Sequence, residues 1–340
     1  MQADAATPVD PRARFASFVR AVARGATLGR ALAREEAQEA MGLILSGTVE
    51  PVQIGALLAV LRYRQETPEE LAGFARAVRA TFGAEAQRAI ADLDWPSYAD
   101  RHKQLPYFAL AALLLAEGGT SVLMHGIAGE GTATTPKTLA ALGIAPARDL
   151  GDATERLARS GFAYLPLEAF CPALGRIFAL RPLLGVRTAV NSFAREINPG
   201  NAPYQIQGVF HPAYLPTHLA AARLLAQPHV ALFKGGAGEV QRNPEKACRV
   251  AVLHDGTEGE EDWPSLGDVA RHPWRDEPLE PRRVAALWRG EWESPGPVAA
   301  VLGTAAIALK LVGRAATVEA AEDEARRLWE ARPKSKYGAA

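Results

Sequence analysis

The chain has 340 residues, with 38 Lys and Arg balanced by 38 Asp and Glu. Zero formal net charge excludes a generally basic nucleic-acid binder and confines any polyanion contact to local clusters. Hydrophobic content of 48% and charged content of 22% are those of an ordinary globular protein, and the length exceeds what one compact core usually supports, so two lobes are expected. No apolar run approaches the roughly 20 residues of a membrane span, and the N-terminal stretch, rich in Ala, Pro and Arg, lacks a signal-peptide core. The expected location is therefore the cytoplasm, with no membrane partner. The two cysteines, Cys171 and Cys248, have no metal-ligand spacing and read as reduced, buried hydrophobes.

From Arg12 to Phe82 the apolar residues recur three and four apart, as in Phe15, Phe18, Val19 and Val22, and again in Leu57, Leu58 and Leu61. This period predicts helices only. Gly25 and Gly47 mark turns, Pro51 suits a first helical turn, and Thr67-Pro68-Glu69-Glu70 reads as a capping box. A helical domain is expected over 1-90. From about Leu93 the pattern changes to short apolar runs followed by Gly-containing turns and helical stretches, the signature of a parallel sheet in a domain over 91-340. The best strand candidates are Val122 to His125, Phe162 to Leu165, Val230 to Lys234 and Arg249 to His254. Between them, Glu168 to Arg195 turns helical again, a segment of about 168-195 that returns to the helical domain. Asp255 to Glu280, rich in Pro, Trp and acid, reads as an irregular surface excursion. Beyond Val284, Ala-rich helical segments flank Gly313.

Three features carry candidate chemistry. Met124-His125-Gly126-Ile127-Ala128-Gly129 stands between an apolar run and a helical stretch. Such a strand, loop and helix offers backbone N–H groups to an anion, yet no cation stands in this one before Lys137. Basic clusters occur at Arg101-His102-Lys103 beside Tyr98, Tyr107 and Phe108, at Arg242, Lys246 and Arg249 around Pro244, and at Arg326, Arg327, Arg332, Lys334 and Lys336. Opposed to them is the acidic run Asp255, Glu258, Glu260, Glu261 and Asp262. Each run reads either as a contact surface or as an ordinary solvated face.

The order of elements and several motifs resemble the anthranilate phosphoribosyltransferase group, glycosyltransferase family 3. The resemblance rests on Met41-Gly42-Leu43-Ile44-Leu45-Ser46-Gly47, Gln53-Ile54-Gly55-Ala56-Leu57-Leu58 and Glu69-Glu70-Leu71-Ala72-Gly73-Phe74. It continues in Arg181-Pro182-Leu183-Leu184-Gly185-Val186-Arg187-Thr188, Asn198-Pro199 and Gln207-Gly208-Val209. It implies an α/β fold class: a small all-helical N-terminal domain plus a larger α/β domain with a central, mainly parallel sheet, assembled as a homodimer through the helical domain. It also implies transfer from magnesium-bound phosphoribosyl pyrophosphate. That chemistry uses a Gly-Thr-Gly-Gly-Asp loop for the diphosphate, a Lys-His-Gly-Asn-Arg loop for added positive charge, and an Asp-Glu pair for the metal.

This sequence departs from the family at each place. Asp94-Trp95-Pro96-Ser97-Tyr98-Ala99-Asp100-Arg101 stands for the glycine-rich loop, the second loop keeps only His125 and Gly126, and Gly236-Ala237-Gly238-Glu239 keeps only Glu239 of the metal pair. One lost donor costs about 3 kcal/mol of transition-state stabilisation, so efficient transfer is not expected. The losses are similar to those of the YbiB-type branch of the family, which implies nucleic-acid binding in a basic groove. Arg101, Lys103, Lys234, Arg242 and Lys246 are the expected phosphate contacts, the alternative being surface charge. Neighbouring aromatics would stack single-stranded bases. No residue is assigned a catalytic role, His125, Glu239 and Arg181 being the candidates if the protein is a transferase. His125 reads as a ligand contact or a hydrogen-bonded loop histidine, Glu239 as a helix cap or an arginine partner, and Arg181 as a remnant of the acceptor pocket or a helix-anchoring ion pair. No cofactor is expected, and Mg²⁺ enters only if the protein is instead a phosphoribosyl- or glycosyltransferase acting on an altered substrate. A small-molecule sensor that kept the cleft is the remaining alternative.

Overall fold

The computed structural model describes residues 10–83, 88–99, 103–267 and 271–338. It divides into two compact units, one running through Thr81 and including Ala173–Ile197, the other formed by Phe82–Pro172 and the chain from Asn198 onward.

The first unit is helical throughout. Its main helices are Pro11–Ala23, Arg34–Leu45, Pro51–Arg64 and Pro68–Arg79. Asp10 caps the first by accepting from Arg12 N at 3.0 Å. Thr67 and Glu70 cap the last reciprocally, with Thr67 N to Glu70 Oε2 at 2.9 Å and Glu70 N to Thr67 Oγ1 at 3.3 Å. The buried Glu70 carboxylate also accepts from Leu32 N at 2.9 Å and pairs with Arg64. Phe15, Phe18, Leu57, Leu61, Leu71 and Phe74 form the interior, each stabilising the unit by about 1.5–3 kcal/mol. Gly73 is required by close approach, since a Cβ there would lie 2.3 Å from the carbonyl oxygen of Arg34.

The second unit is built on one seven-stranded sheet: β1 (Leu93–Ser97), β2 (Val122–Gly126), β3 (Phe162–Pro166), β4 (Tyr204–Val209), β5 (His229–Lys234), β6 (Cys248–His254) and β7 (Thr257–Trp263). The order is β3-β2-β1-β4-β5-β6-β7. Pairings from β3 to β5 are parallel, and β6 and β7 are antiparallel. The four strands expected from the sequence are present. Three others correct that reading. β1 occupies residues taken as a loop, and it tolerates Pro96 because its pairing with β4 ends at Asp94, so the missing N–H interrupts no ladder there. β4 lies in a stretch given no strand. β7 replaces most of the acidic half of the supposed irregular excursion.

Side chains alternate across the sheet. One face carries Leu93, Trp95, Val122, Met124, Tyr164, Ile206, Phe233 and Val250 into the main core, packed on the buried helix Phe108–Glu117 and the helix Pro295–Leu311. The other face is apolar at its two flanks. Leu123, Ala163 and Leu165 pack with Ala153 and Leu157, while Val230, Leu232 and Leu253 pack with Leu219 and Ala222. At its centre the alternation places Asp94, His125, Gln205 and Gln207, all buried.

Candidate functional site

Those central polar residues form a connected chain across β2, β1 and β4. His125 Nδ1 lies 2.7 Å from Tyr98 Oη, and Nε2 lies 3.2 Å from Asp94 Oδ1. Gln205 Nε2 donates to Asp94 Oδ2 at 2.7 Å, and Gln207 Nε2 donates to Gln205 Oε1 at 2.7 Å. Burial, with the Asp94 charge adding to it, holds the Tyr98 phenol well above its ordinary proton affinity. Tyr98 therefore keeps its proton and donates it to Nδ1, which assigns the imidazole N–H to Nε2, facing Asp94. His125 is a hydrogen-bonded core residue with both ring nitrogens engaged.

The loop after β5 folds down beside this chain. Gly236 N donates to Gln241 O at 2.7 Å, and Ala237 adopts a φ of +55°. Cβ atoms at Gly208 and Gly235 would lie 2.1 and 1.6 Å from the Glu239 carbonyl oxygen, so glycine is obligatory at this crossing. The buried Glu239 side chain accepts from Ala99 N at 2.7 Å. It thus caps the loop after β1.

Beside β5, β6 and β7 the molecule opens into a cleft of about 1430 Å³. Lys234, Lys246 and Arg249 line it together with apolar Leu215, Leu219 and Ala251 and with Phe210, 53% exposed. Glu258, Glu260 and Asp262 of β7 line it too. A two-residue turn, Asp255 (φ +47°) and Gly256 (φ +82°), joins β6 to β7 and fixes the register Arg249↔Asp262, Ala251↔Glu260, Leu253↔Glu258. Arg249 Nε lies 3.6 Å from both Glu260 and Asp262, exposed contacts that contribute little. On the other face of β7, Glu261 pairs with Lys310 and Trp263 enters the core.

The structure thus brings Lys234 and Lys246 to one cleft, and leaves Lys103 exposed on the loop before Leu105. Arg101 lies outside the described residues. Arg242 is corrected: it is fully buried, its guanidinium pairs with Glu322 at 2.9 Å, donates to the Pro264 carbonyl and lies 5.2 Å over the Trp263 ring. No phosphate reaches a group so enclosed. Arg181 belongs to the helical unit, half-buried on the short helix Arg181–Leu184, where burial and then the Arg187 charge lower its proton affinity. The basic stretch after Trp329 is ordered through Gly338: Arg332 lies 3.6 Å over the Trp329 ring and Lys336 pairs with Glu117. Both cysteines are free and buried, and burial pushes the Cys248 thiol up to about 11. Sequence reasoning missed the Tyr98–His125 bond and the acidic strand of the cleft. The Asp255-Gly256 dipeptide, a hairpin signal after a strand, pointed to the latter.

Residues 17–82 match the helical bundle domain of the glycosyl transferase family. Over 235 residues the chain is 35% identical to the anthranilate phosphoribosyltransferase of Thermus thermophilus, covering 66% of this chain and 69% of that one. The chain belongs to the anthranilate phosphoribosyltransferase family. A crystal structure of the enzyme from Thermus thermophilus matches with a TM-score of 0.73 at 27% identity, covering 93% of this chain and 94% of that one. The uncharacterized protein YbiB of Escherichia coli strain K12 is 28% identical over 250 residues, 70% of this chain and 76% of its own. The yeast anthranilate phosphoribosyltransferase, solved in complex with PRPP and Mg, shares the fold with a TM-score of 0.68 at 17% identity, covering 94% of this chain and 96% of that one.

Against that family, the magnesium position does not fit a metal here. Gly238 offers no side-chain oxygen, one oxygen of buried Glu239 is bonded to Ala99 N, and magnesium requires an octahedral oxygen shell. Among the described residues no group of three or more His, Cys, Asp or Glu is placed to hold a metal ion, and no helix is long and apolar enough to cross a membrane.

Proposed function

We propose that this member of the family has lost phosphoribosyl transfer and binds nucleic acid, chiefly single-stranded DNA held through its phosphates. The observation that carries the reading is a contrast within the α/β unit: Glu239, the one carboxylate kept at the metal position, is buried with one oxygen bonded to Ala99 N, while Lys234, Lys246 and Arg249 open on the large cleft. Lysine and arginine there release counterions from a phosphate backbone. Exposed Phe210 offers a face for a base.

Fluorescence anisotropy of labelled single-stranded and duplex oligonucleotides over a salt series tests this, with a Lys234→Glu/Lys246→Glu/Arg249→Glu variant alongside. Sub-micromolar affinity at moderate salt, lost in the variant, is expected. Absence of binding at low salt, or saturable magnesium-dependent binding of phosphoribosyl pyrophosphate, would overturn the reading in favour of a sensor or a transferase.

The same proposal includes a homodimer through the helical unit. Val52, Ala56, Ala59 and Tyr63 form one exposed stripe on the helix Pro51–Arg64, with Val52 78% and Tyr63 93% exposed. Leu183, 83% exposed, sits on the helix packed beside it through Leu184 and Gly55. An unpaired apolar stripe marks an association surface. Light scattering on a Val52→Glu/Tyr63→Glu variant should report a monomer where the parent is a dimer.

A further inference from the structure

A tight turn beyond β7 joins two loops that carry cations. Trp274 N donates to His272 O at 2.8 Å across Pro273, whose ring fixes φ there. Asp276 N and Glu277 N then donate to the Pro273 carbonyl at 2.9 and 3.0 Å, so the two ends of the turn keep a fixed relation. The first end holds the loop before β6: Glu245 Oε1 accepts from His272 N at 2.8 Å and from Trp274 Nε1 at 2.7 Å. The second holds the loop before the helix Phe108–Glu117. Buried Glu277 accepts there from Leu105 N at 3.3 Å and from Tyr107 Oη at 2.9 Å, and it lies 2.8 Å from His272 Nε2. The Trp274 ring packs edge-on against both partners, its centroid 6.3 Å from Tyr107 and 4.6 Å from His272.

Each of the two loops presents a lysine next to the atoms that are held. Lys246 follows Glu245 directly, Lys103 stands two residues before Leu105, and both are exposed. Gln104, between Lys103 and Leu105, lies against the loop after β5, where a Cβ on Gly236 would come within 2.7 Å of its Oε1. Exposed Lys234 begins that loop. Three lysines from distant parts of the chain are thus linked, Lys103 to Lys234 by the contact at Gly236 and Lys103 to Lys246 by the turn.

Resting on the nucleic-acid reading, we propose that the turn His272–Glu277 is a clasp that positions Lys103 and Lys246 for one bound strand, whose phosphate track leaves the cleft past Gly236 to reach Lys103. Every lysine that meets a phosphate gains affinity through counterion release, but a lysine on a loop that must first be ordered loses part of that gain. Hydrogen bonds to carboxylates are roughly twice as strong as those between neutral groups. Here they order both loops during folding, before a ligand arrives. Trp274, Glu245 and Glu277 are positioning residues, acting through the lysines whose loops they hold.

The test follows the full chain binding a labelled thymidine oligomer by anisotropy over a salt series, with amide hydrogen exchange measured on the same proteins. Trp274→Phe keeps a ring and removes one donor to Glu245, while Glu277→Gln keeps the shape and weakens the hold on Leu105. Each should speed exchange in the loop it releases and lower the salt slope by about 0.7, the share of one cation on a single strand. Lys103→Gln and Lys246→Gln should lower the slope equally, and Trp274→Phe/Lys246→Gln no further than Lys246→Gln alone. A further loss in that double variant would overturn the proposal, because the turn would then only be holding the unit together. So would a slope left unchanged by Trp274→Phe and Glu277→Gln, or by Lys103→Gln, in a parent that binds. Failure of the parent to bind at low salt would remove the nucleic-acid reading itself, and this inference with it.

Discussion

Two parts of one sheet have been finished in opposite ways. Across β1, β2 and β4, Tyr98, His125, Asp94, Gln205 and Gln207 bond to one another, and Glu239 closes on Ala99. Beside β5, β6 and β7, three cations and three carboxylates remain on an open cleft. Both regions are rich in ionisable groups, so composition does not distinguish them. What distinguishes them is whether polar groups satisfy each other: buried polar groups need partners inside the protein, whereas exposed charges in loose pairs stay available to a ligand at little cost.

Substitutions separate the two regions. The largest effect is expected from Gly235→Ala, because the new Cβ would lie 1.6 Å from the Glu239 carbonyl oxygen; a loss of about 3 kcal/mol or more in denaturant unfolding should follow. His125→Ala should cost about 3 kcal/mol by leaving Asp94 and Tyr98 buried without it, and Arg242→Gln should lose a similar amount, with both variants keeping the parent's salt slope for oligonucleotides. Lys234→Gln/Lys246→Gln should do the reverse. It should reduce that slope by about 1 per residue and leave stability within about 0.5 kcal/mol. If His125→Ala weakens oligonucleotide binding while Lys234→Gln/Lys246→Gln does not, the assignment of the two regions is inverted. The smallest effect lies away from both. The hydrogen bond from Arg30 holds the Glu36 carboxyl at about 2, against an ordinary 4.5. Its contribution is fully present above pH 4.5 and lost as the pH falls from there toward 2. The pair is partly exposed, so the loss should be no more than about 1 kcal/mol, seen as a difference from Glu36→Gln in acid unfolding.

Local signals in the chain were reliable where local physics decides the structure. The Thr67-Glu70 capping box, the helical period of Phe15, Phe18 and Val22, and the apolar run from Val230 each formed as read. Where neighbours far along the chain decide, the reading failed. Tyr98, just past β1, and His125, on β2, are 27 residues apart, and no spacing announces their bond. Arg242, followed by Asn243-Pro244, looked like a surface cation because its partner Glu322 lies 80 residues on. β1 was obscured by Asp94 and Pro96, which lower strand propensity and are accommodated by a buried network and by the end of a ladder. β7 was hidden by its acids, although Asp255-Gly256 announced the hairpin.

The buried Arg242 gives the chain a schedule as well as a contact. The loop that carries Lys246 leaves the ribosome well before Glu322, 80 residues behind Arg242. A guanidinium enclosed without its carboxylate costs several kcal/mol, so this loop cannot settle until the helix Val318–Ala331 has been made and docked. The cleft is therefore among the last parts of the newborn protein to take shape, and a chain interrupted before Glu322 would lack the partner that lets the loop beside the cleft close.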